Sequence, residues 1–187
     1  MDFHLASQSP RRSQLLQYLD YTFDIVDGHI DETPAVSESD CDYVVRMARS
    51  KAYCGLKNSA DGRPVLGADT TISVDNEILA KPESFEHSRY MLRRLSGRAH
   101  KVLTAVCVVN QERMEQILVT TIVKMRSISD DEIKLYWQSG EPCDKAGSYA
   151  IQGIGGKFVK AIDGSYSAVV GLPLVESEQL LKMFLSR

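Results

Sequence analysis

The chain has 187 residues, 22 Lys and Arg against 25 Asp and Glu, a net charge of -3 and 43% apolar residues, enough to bury a core without disulfides or metals. The acidic balance excludes a global basic field that would draw the chain to nucleic acid, so any anion site must be built locally. No apolar run approaches the ~20 residues of a membrane span, and Asp2 and His4 stand where a secretory signal needs a basic and then an apolar segment. The expectation is a cytoplasmic chain with no membrane or nucleic-acid partner.

Residues 3–6 read as a short strand feeding the turn Ser7-Gln8-Ser9, with Ser9 as N-cap and Pro10 opening a helix whose apolar face is Leu15, Leu16 and Leu19. Arg11 and Arg12 then fall in the first helical turn, the positive end of the dipole, where a cation is disfavoured by a few tenths to about 1 kcal/mol. With the hydroxyls of Ser7 and Ser9 they suit an absent anion such as phosphate; solvated surface charge is the plainer alternative. Residues 22–26 form the next strand, so the chain opens strand-helix-strand, as an α/β protein does. Asp27-Gly28-His29-Ile30-Asp31-Glu32-Thr33-Pro34 follows as a polar turn whose acids, taken alone, are solvated or capping.

A long helix is expected from an N-cap at Ser37, with Asp40 at its third position, to about Asn58. Its apolar stripe is Val44, Met47, Ala48 and Ala52, and at 100° per residue Lys51 falls only about 20° from Val44. Lys51 therefore sits on the packed seam, where its stem covers apolar surface and its ammonium reaches either water or an anion. Residues 64–74 read as a strand with Leu66, Ala68, Ile72 and Val74 on one face and Gly67, Asp69, Thr71 and Ser73 on the other. An aspartate in such a strand needs a charged partner, hydrogen bonds or a metal. The turn Asp75-Asn76-Glu77 brings back a segment ending at Lys81-Pro82. Lys81 is extended there because proline follows, and it faces either solvent or the cleft of Asp69.

The pattern then gives a helix over 84–96 with Met91, Leu92 and Leu95 inward, stopped by Gly97. Antiparallel strands over 99–109 and 115–125 make the sheet mixed. Ser129 and Glu132 form a capping box for a helix over 130–139 that Gly140 closes. The glycine-punctuated stretch 144–156 carries Gln152, whose amide offers both a donor and an acceptor to a base edge. A hairpin of strands 157–162 and 165–170 around Asp163-Gly164 is expected next, before Gly171-Leu172-Pro173 leads into a closing helix. Nothing in the sequence divides the chain, so residues 1–187 are read as one domain. Cys41, Cys54, Cys107 and Cys143 lack metal-site spacing and are expected to be reduced and mostly buried.

Leu5-Ala6-Ser7-Gln8-Ser9-Pro10-Arg11-Arg12, Asp31-Glu32, Ala48 through Lys51-Ala52, Gly67-Ala68-Asp69-Thr70, Lys81-Pro82, Lys145-Ala146-Gly147 through Gln152-Gly153 and Val170-Gly171-Leu172-Pro173 resemble the Maf family of nucleotide pyrophosphatases over essentially the whole chain. The resemblance implies an α/β fold with a long bent mixed β-sheet flanked by helices, related to the inosine triphosphate pyrophosphatases, with two lobes around a cleft. It implies hydrolysis of a nucleoside triphosphate to monophosphate and pyrophosphate with a divalent metal cation, Mg2+ or Mn2+. Arg11, Thr70 and Gln152 resemble the branch taking dTTP and UTP, with modified pyrimidine triphosphates also open. The branch acting on 7-methyl-GTP typically has tryptophan, glutamine and glutamate at those places. By the same resemblance Asp69 is the general base, or mainly a metal ligand, and Glu32 with Asp69 holds the metal. Arg11, Arg12, Lys51 and Lys81 hold the triphosphate with a hydroxyl hydrogen bond from Ser7, and Thr70 and Gln152 read the base. The alternative is a nucleotide-binding regulator of cell division with little turnover, since the family name is also linked to inhibition of septum formation. A homodimer stays open.

Overall fold

A computed structural model describes residues 1–185. Seven strands form one mixed sheet: β1 (Phe3–Ala6), β2 (Phe23–Ile25), β3 (Val65–Val74), β4 (Glu77–Leu79), β5 (Ala99–Val109), β6 (Met114–Met125) and β7 (Val159–Asp163). Their order is β2-β1-β3-β5-β6-β7, with β4 folded back on the far end of β3. β1 runs parallel to β2 and β3, and every other pairing is antiparallel. The β3–β4 turn works because Asp75 and Asn76 both take positive φ, as a two-residue hairpin of this hand requires.

Helices cover both faces: α1 (Pro10–Leu16), α2 (Asp40–Asn58), α3 (Phe85–Leu95), α4 (Asp130–Gln138), α5 (Tyr166–Val170) and α6 (Leu174–Phe184). None of the described helices is long and apolar enough to cross a membrane. The first half of β3 lies between two apolar groups. Ala6, Val44, Ala48, Ala52, Val65 and Ala105 pack under α2, while Leu5, Leu16, Leu66, Val106 and Leu181 pack under α1 and α6. The far half belongs to a third group, with Ile72 and Val74 against Met91, Leu92 and Leu95 of α3 and Ile133 and Tyr136 of α4. Residues 69–71 of β3 fall between these groups, and the strand is polar there: Asp69 and Thr71 are buried, Thr70 half-buried.

Three local expectations are corrected. The N-cap of α2 is Ser39, whose Oγ accepts from Asp42 N at 3.1 Å, while Ser37 is held in a turn at φ 61°. Two serines each precede an aspartate by three residues, and the one adjoining the helical backbone captures the cap. Residues 166–170 are the helix α5 and not a second hairpin strand. Ser165 Oγ accepts from Ala168 N at 3.2 Å and caps the turn, so the strand preference of Tyr166, Val169 and Val170 loses to a local hydrogen bond. β7 pairs with β6 instead. Of the cysteines only Cys107, on β5, is fully buried; Cys41 and Cys54 are half-buried and Cys143 is exposed in a 3₁₀ turn. All four are free thiols, as expected.

The close seat of α2 on β3 depends on Gly67, since a Cβ there would lie 2.5 Å from Ala48 O and 2.5 Å from Ala52 N. Helix backbone gives no room by rotating a side chain. Gly67→Ala is therefore expected to destabilise the fold by about 1–3 kcal/mol, read as a lower urea midpoint, and an unchanged midpoint would contradict this contact.

Candidate active site

The short α2–β3 distance fixes the first half of the site. Lys51, one turn along from Ala48, extends its stem over the seam and puts Nζ 2.7 Å from Asp69 Oδ1 and 2.6 Å from Glu32 Oε1. The Lys51 ammonium thus meets anions that belong to the protein itself. Glu32 arrives from the 27–34 loop because α2 pins that loop. Tyr43 Oη donates to Glu32 O at 2.9 Å, and Arg46 donates to Thr33 O at 3.1 Å while paired with Glu38. Burial opposes the Glu32 charge, but the hydrogen bond and charge of Lys51, with the fields of Lys81 and Arg12, outweigh it and hold the pKa below its ordinary value. Burial beside Asp69 and Glu32 pushes the Tyr43 phenol up to about 12.

Arg12 makes the second half. It is 9% exposed although it lies in the first turn of a helix, and each of its three nitrogens donates one hydrogen bond, which leaves two of its five N–H groups over. Nε donates to Gly171 O at 2.9 Å, one terminal nitrogen to Ser7 Oγ at 3.1 Å and the other to Thr70 Oγ1 at 3.3 Å. Burial lowers its pKa, opposed by Asp69 and Glu32 and reinforced by Arg11. The dipole argument against a cation is met by side-chain and carbonyl partners, since α1 is only seven residues long. Ser7 Oγ also accepts from Ser9 N at 3.2 Å, so both of its acceptor positions are used and its proton remains to donate. Ser9 takes the N-cap place without a side-chain cap bond.

Ser7, Arg12 and Thr70 are thus brought together directly, as are Glu32, Lys51 and Asp69, and the two groups feel each other's charge. Lys81 is exposed but close enough to act on Glu32, and Arg11 acts on Arg12 and on Asp144. Gln152 is exposed on a turn, and no hydrogen bond or ion pair joins it to the other site residues among those described. What holds its turn is a carboxylate. Glu141 accepts from Ile154 N at 2.8 Å, Gly155 N at 2.9 Å and Tyr136 Oη at 2.7 Å, while Tyr136 Oη accepts from Ala150 N at 3.1 Å. Burial works against the Glu141 charge, yet these donors keep its pKa below the ordinary value. Sequence reasoning missed Tyr43, which holds Glu32, Thr104, whose Oγ1 lies 3.1 Å from that of Thr70, and Tyr136 and Glu141, which hold the turn of Gln152. The sequence marked that region only by Gly140 at the end of α4 and by the glycine-punctuated stretch 144–156.

The same stretch is fixed to the sheet by Tyr149, whose hydroxyl lies 2.7 Å from Nε2 of His100, a residue 3% exposed on β5. Gly147 N donates to Ala80 O at 3.0 Å and ties it to the residue before Lys81.

A family model described as Maf-like protein matches residues 2–184. Among curated relatives, the dTTP/UTP pyrophosphatase of Vibrio parahaemolyticus is 53% identical over 181 residues, 97% of this chain and 96% of its own. That of Pseudoalteromonas atlantica is 52% identical, covering 95% and 94% of the two chains. That of Escherichia coli is 50% identical, covering 97% and 92%. A solved nucleoside-triphosphatase/dITP/XTP pyrophosphatase from Mycobacterium abscessus is 17% identical at a TM-score of 0.42, over 67% of this chain and 73% of that one.

Burial alone depresses the His100 pKa from 6.5 to about 4. On acidification the unfolded chain takes up this proton first, so the folded state should lose stability as pH falls from about 6.5 to about 4, at up to roughly 1.4 kcal/mol per pH unit. His100→Gln keeps an acceptor for Tyr149 and does not titrate, so its urea-derived stability should be flatter over that window. Identical pH slopes for the two proteins would contradict a buried neutral His100.

Proposed function

Because this chain belongs to the Maf-like family, we propose that it hydrolyses dTTP and UTP to the monophosphate and pyrophosphate. The carrying observation is the convergence of two carboxylates, Glu32 and Asp69, on one lysine nitrogen beside a buried arginine held by three hydrogen bonds. Cleavage between the α- and β-phosphates needs a water deprotonated next to a polyanion, and cations where charge grows on the leaving pyrophosphate. Both kinds of group are present, and identities of 50% or more to relatives named for this activity support the reading.

Asp69 has its Oδ1 committed to Lys51, whereas Oδ2 meets only Thr71 Oγ1 at 3.4 Å and is free to take a proton from water. Lys51 has three donors and spends two on carboxylates, which leaves one for a phosphate oxygen. Arg12 acts from a fixed position, and Ser7 donates its remaining proton. Arg11 and Lys81, at the rim, add charge that draws and orients the triphosphate.

A divalent cation fits these residues. Glu32 and Asp69 lie side by side around Lys51, which takes one oxygen of each, and Mg2+ usually takes one or two carboxylates with the rest of its shell from water and phosphate. No group of three or more His, Cys, Asp or Glu side chains among the described residues forms a closed cage. A cation held by these two carboxylates would supply charge neutralisation at the phosphate oxygens.

The direct test is pyrophosphate release from dTTP and UTP with magnesium, abolished by EDTA. Asp69→Asn, of similar volume, should lower turnover by about 10²-fold or more while the protein still folds. Near-normal turnover in a folded variant, or nucleotide bound and unchanged by the parent protein, would contradict the assignment. For base choice, a glutamine amide pairs donor and acceptor with the O4/N3 edge of thymine or uracil, whereas a carboxylate only accepts. Gln152→Glu should therefore cost about ten- to a hundredfold in kcat/KM for dTTP and UTP, with hydrolysis of 7-methyl-GTP held or raised. Equal losses on all three nucleotides would mean that Gln152 supports its turn without reading the base.

A further inference from the structure

Arg12 is held through Thr70, and Thr70 is held by a residue that no ligand can touch. Thr104 is 0% exposed and sits directly opposite Thr70 in the β3–β5 register. Its Oγ1 lies 2.7 Å from Ala168 O. A carbonyl only accepts, so the single Thr104 proton points at Ala168. Towards Thr70 Oγ1, 3.1 Å away, Thr104 then offers lone pairs alone, and the Thr70 proton must point at Thr104. The Thr70 oxygen is left as an acceptor for the Arg12 nitrogen at 3.3 Å. Every hydrogen in the row Arg12, Thr70, Thr104, Ala168 is thus directed away from the guanidinium.

The row starts from α5. Ala168 O lies in the last turn of that helix, where carbonyls lack intrahelical partners, and Gly171 O just beyond it takes Arg12 Nε directly. One short helix therefore aims Arg12 twice, once by direct contact and once through two threonines.

We infer that Thr104 is a positioning residue of the phosphate site: by fixing the proton of Thr70 it sets the orientation of the Arg12 guanidinium. With valine at 104 the Thr70 proton has no inward acceptor and is free to turn against the arginine N–H, so the guanidinium loses one of its three anchors. A consequence concerns Thr70 itself. With its proton committed inward, Thr70 can meet whatever enters the cleft only as an acceptor.

The inference rests on the reading of Arg12 as a phosphate-holding residue, and a double-mutant cycle separates the two. kcat/KM for dTTP is measured on the parent protein, Thr104→Val, Arg12→Ala and the double variant. Thr104→Val should lose about tenfold alone and less than about twofold when Arg12 is already alanine, while Thr104→Ser stays near the parent value. Equal losses in both backgrounds would mean that Thr104 only supports the fold, and no loss at all would remove any role; either result overturns the inference. Arg12→Ala as active as the parent protein would overturn the reading of Arg12 and the inference together, whereas an impaired Arg12→Ala with an unimpaired Thr104→Val overturns the inference alone. Should the valine variant not fold, Thr104→Cys, of similar size and a weak hydrogen-bonding partner, runs the same cycle with the same expectations.

Discussion

The arrangement depends on one ammonium group between two carboxylates. Neither Asp69, 9% exposed in the middle of a central strand, nor Lys51, on the packed seam of a helix, would be tolerated there unpaired. Their pairing demands that α2 lie against β3 with no side chain between, which Gly67 permits. It also demands that the 27–34 loop return over α2 to deliver Glu32, which Tyr43 and Arg46 enforce. Removing the lysine would leave two carboxylates facing each other in a half-buried place. The site is therefore a charge balance that the fold must keep, and a polyanionic substrate with its metal enters that balance without creating it.

Arg12 solves the complementary problem of a buried cation, without an ion pair of its own. It is surrounded by a carbonyl and two hydroxyl oxygens and lies in the field of Asp69 and Glu32. Neutral acceptors fix its geometry without neutralising it, so its charge remains available to a phosphate. These partners offset the cost of two arginines in the first turn of a seven-residue helix and tie Gly171, just past α5, to α1.

Much of this was legible in the sequence, for physical reasons that differ by element. The strand and helix order followed from apolar periodicity, and the capping box at Ser129 was bound to be right because two reciprocal hydrogen bonds support it. Lys51 and Asp69 stood out as charges on faces that pattern marked as packed. The misses arise where short-range chemistry competes with pattern: Ser165 caps a segment ending Val169-Val170 into helix, and Ser39 took the cap from Ser37. Thr104, Tyr136 and Glu141 could not be found at all. A threonine in a strand and an acid before a proline are ordinary locally, and their roles exist only through partners at Ala168 and at 150–155. Gln152 is the reverse case, conspicuous in sequence yet lying on an exposed turn.

The central claim is that the Lys51 ammonium works on phosphate and is more than a counter-charge for the core. Lys51→Met keeps the stem that covers the α2 seam and removes only the charge. The account predicts that its kcat/KM for dTTP falls by roughly tenfold to a hundredfold with the protein still folded. Parent-like kinetics in the folded variant, whatever its loss of thermal stability, would show Lys51 to be a structural ion pair alone and contradict it.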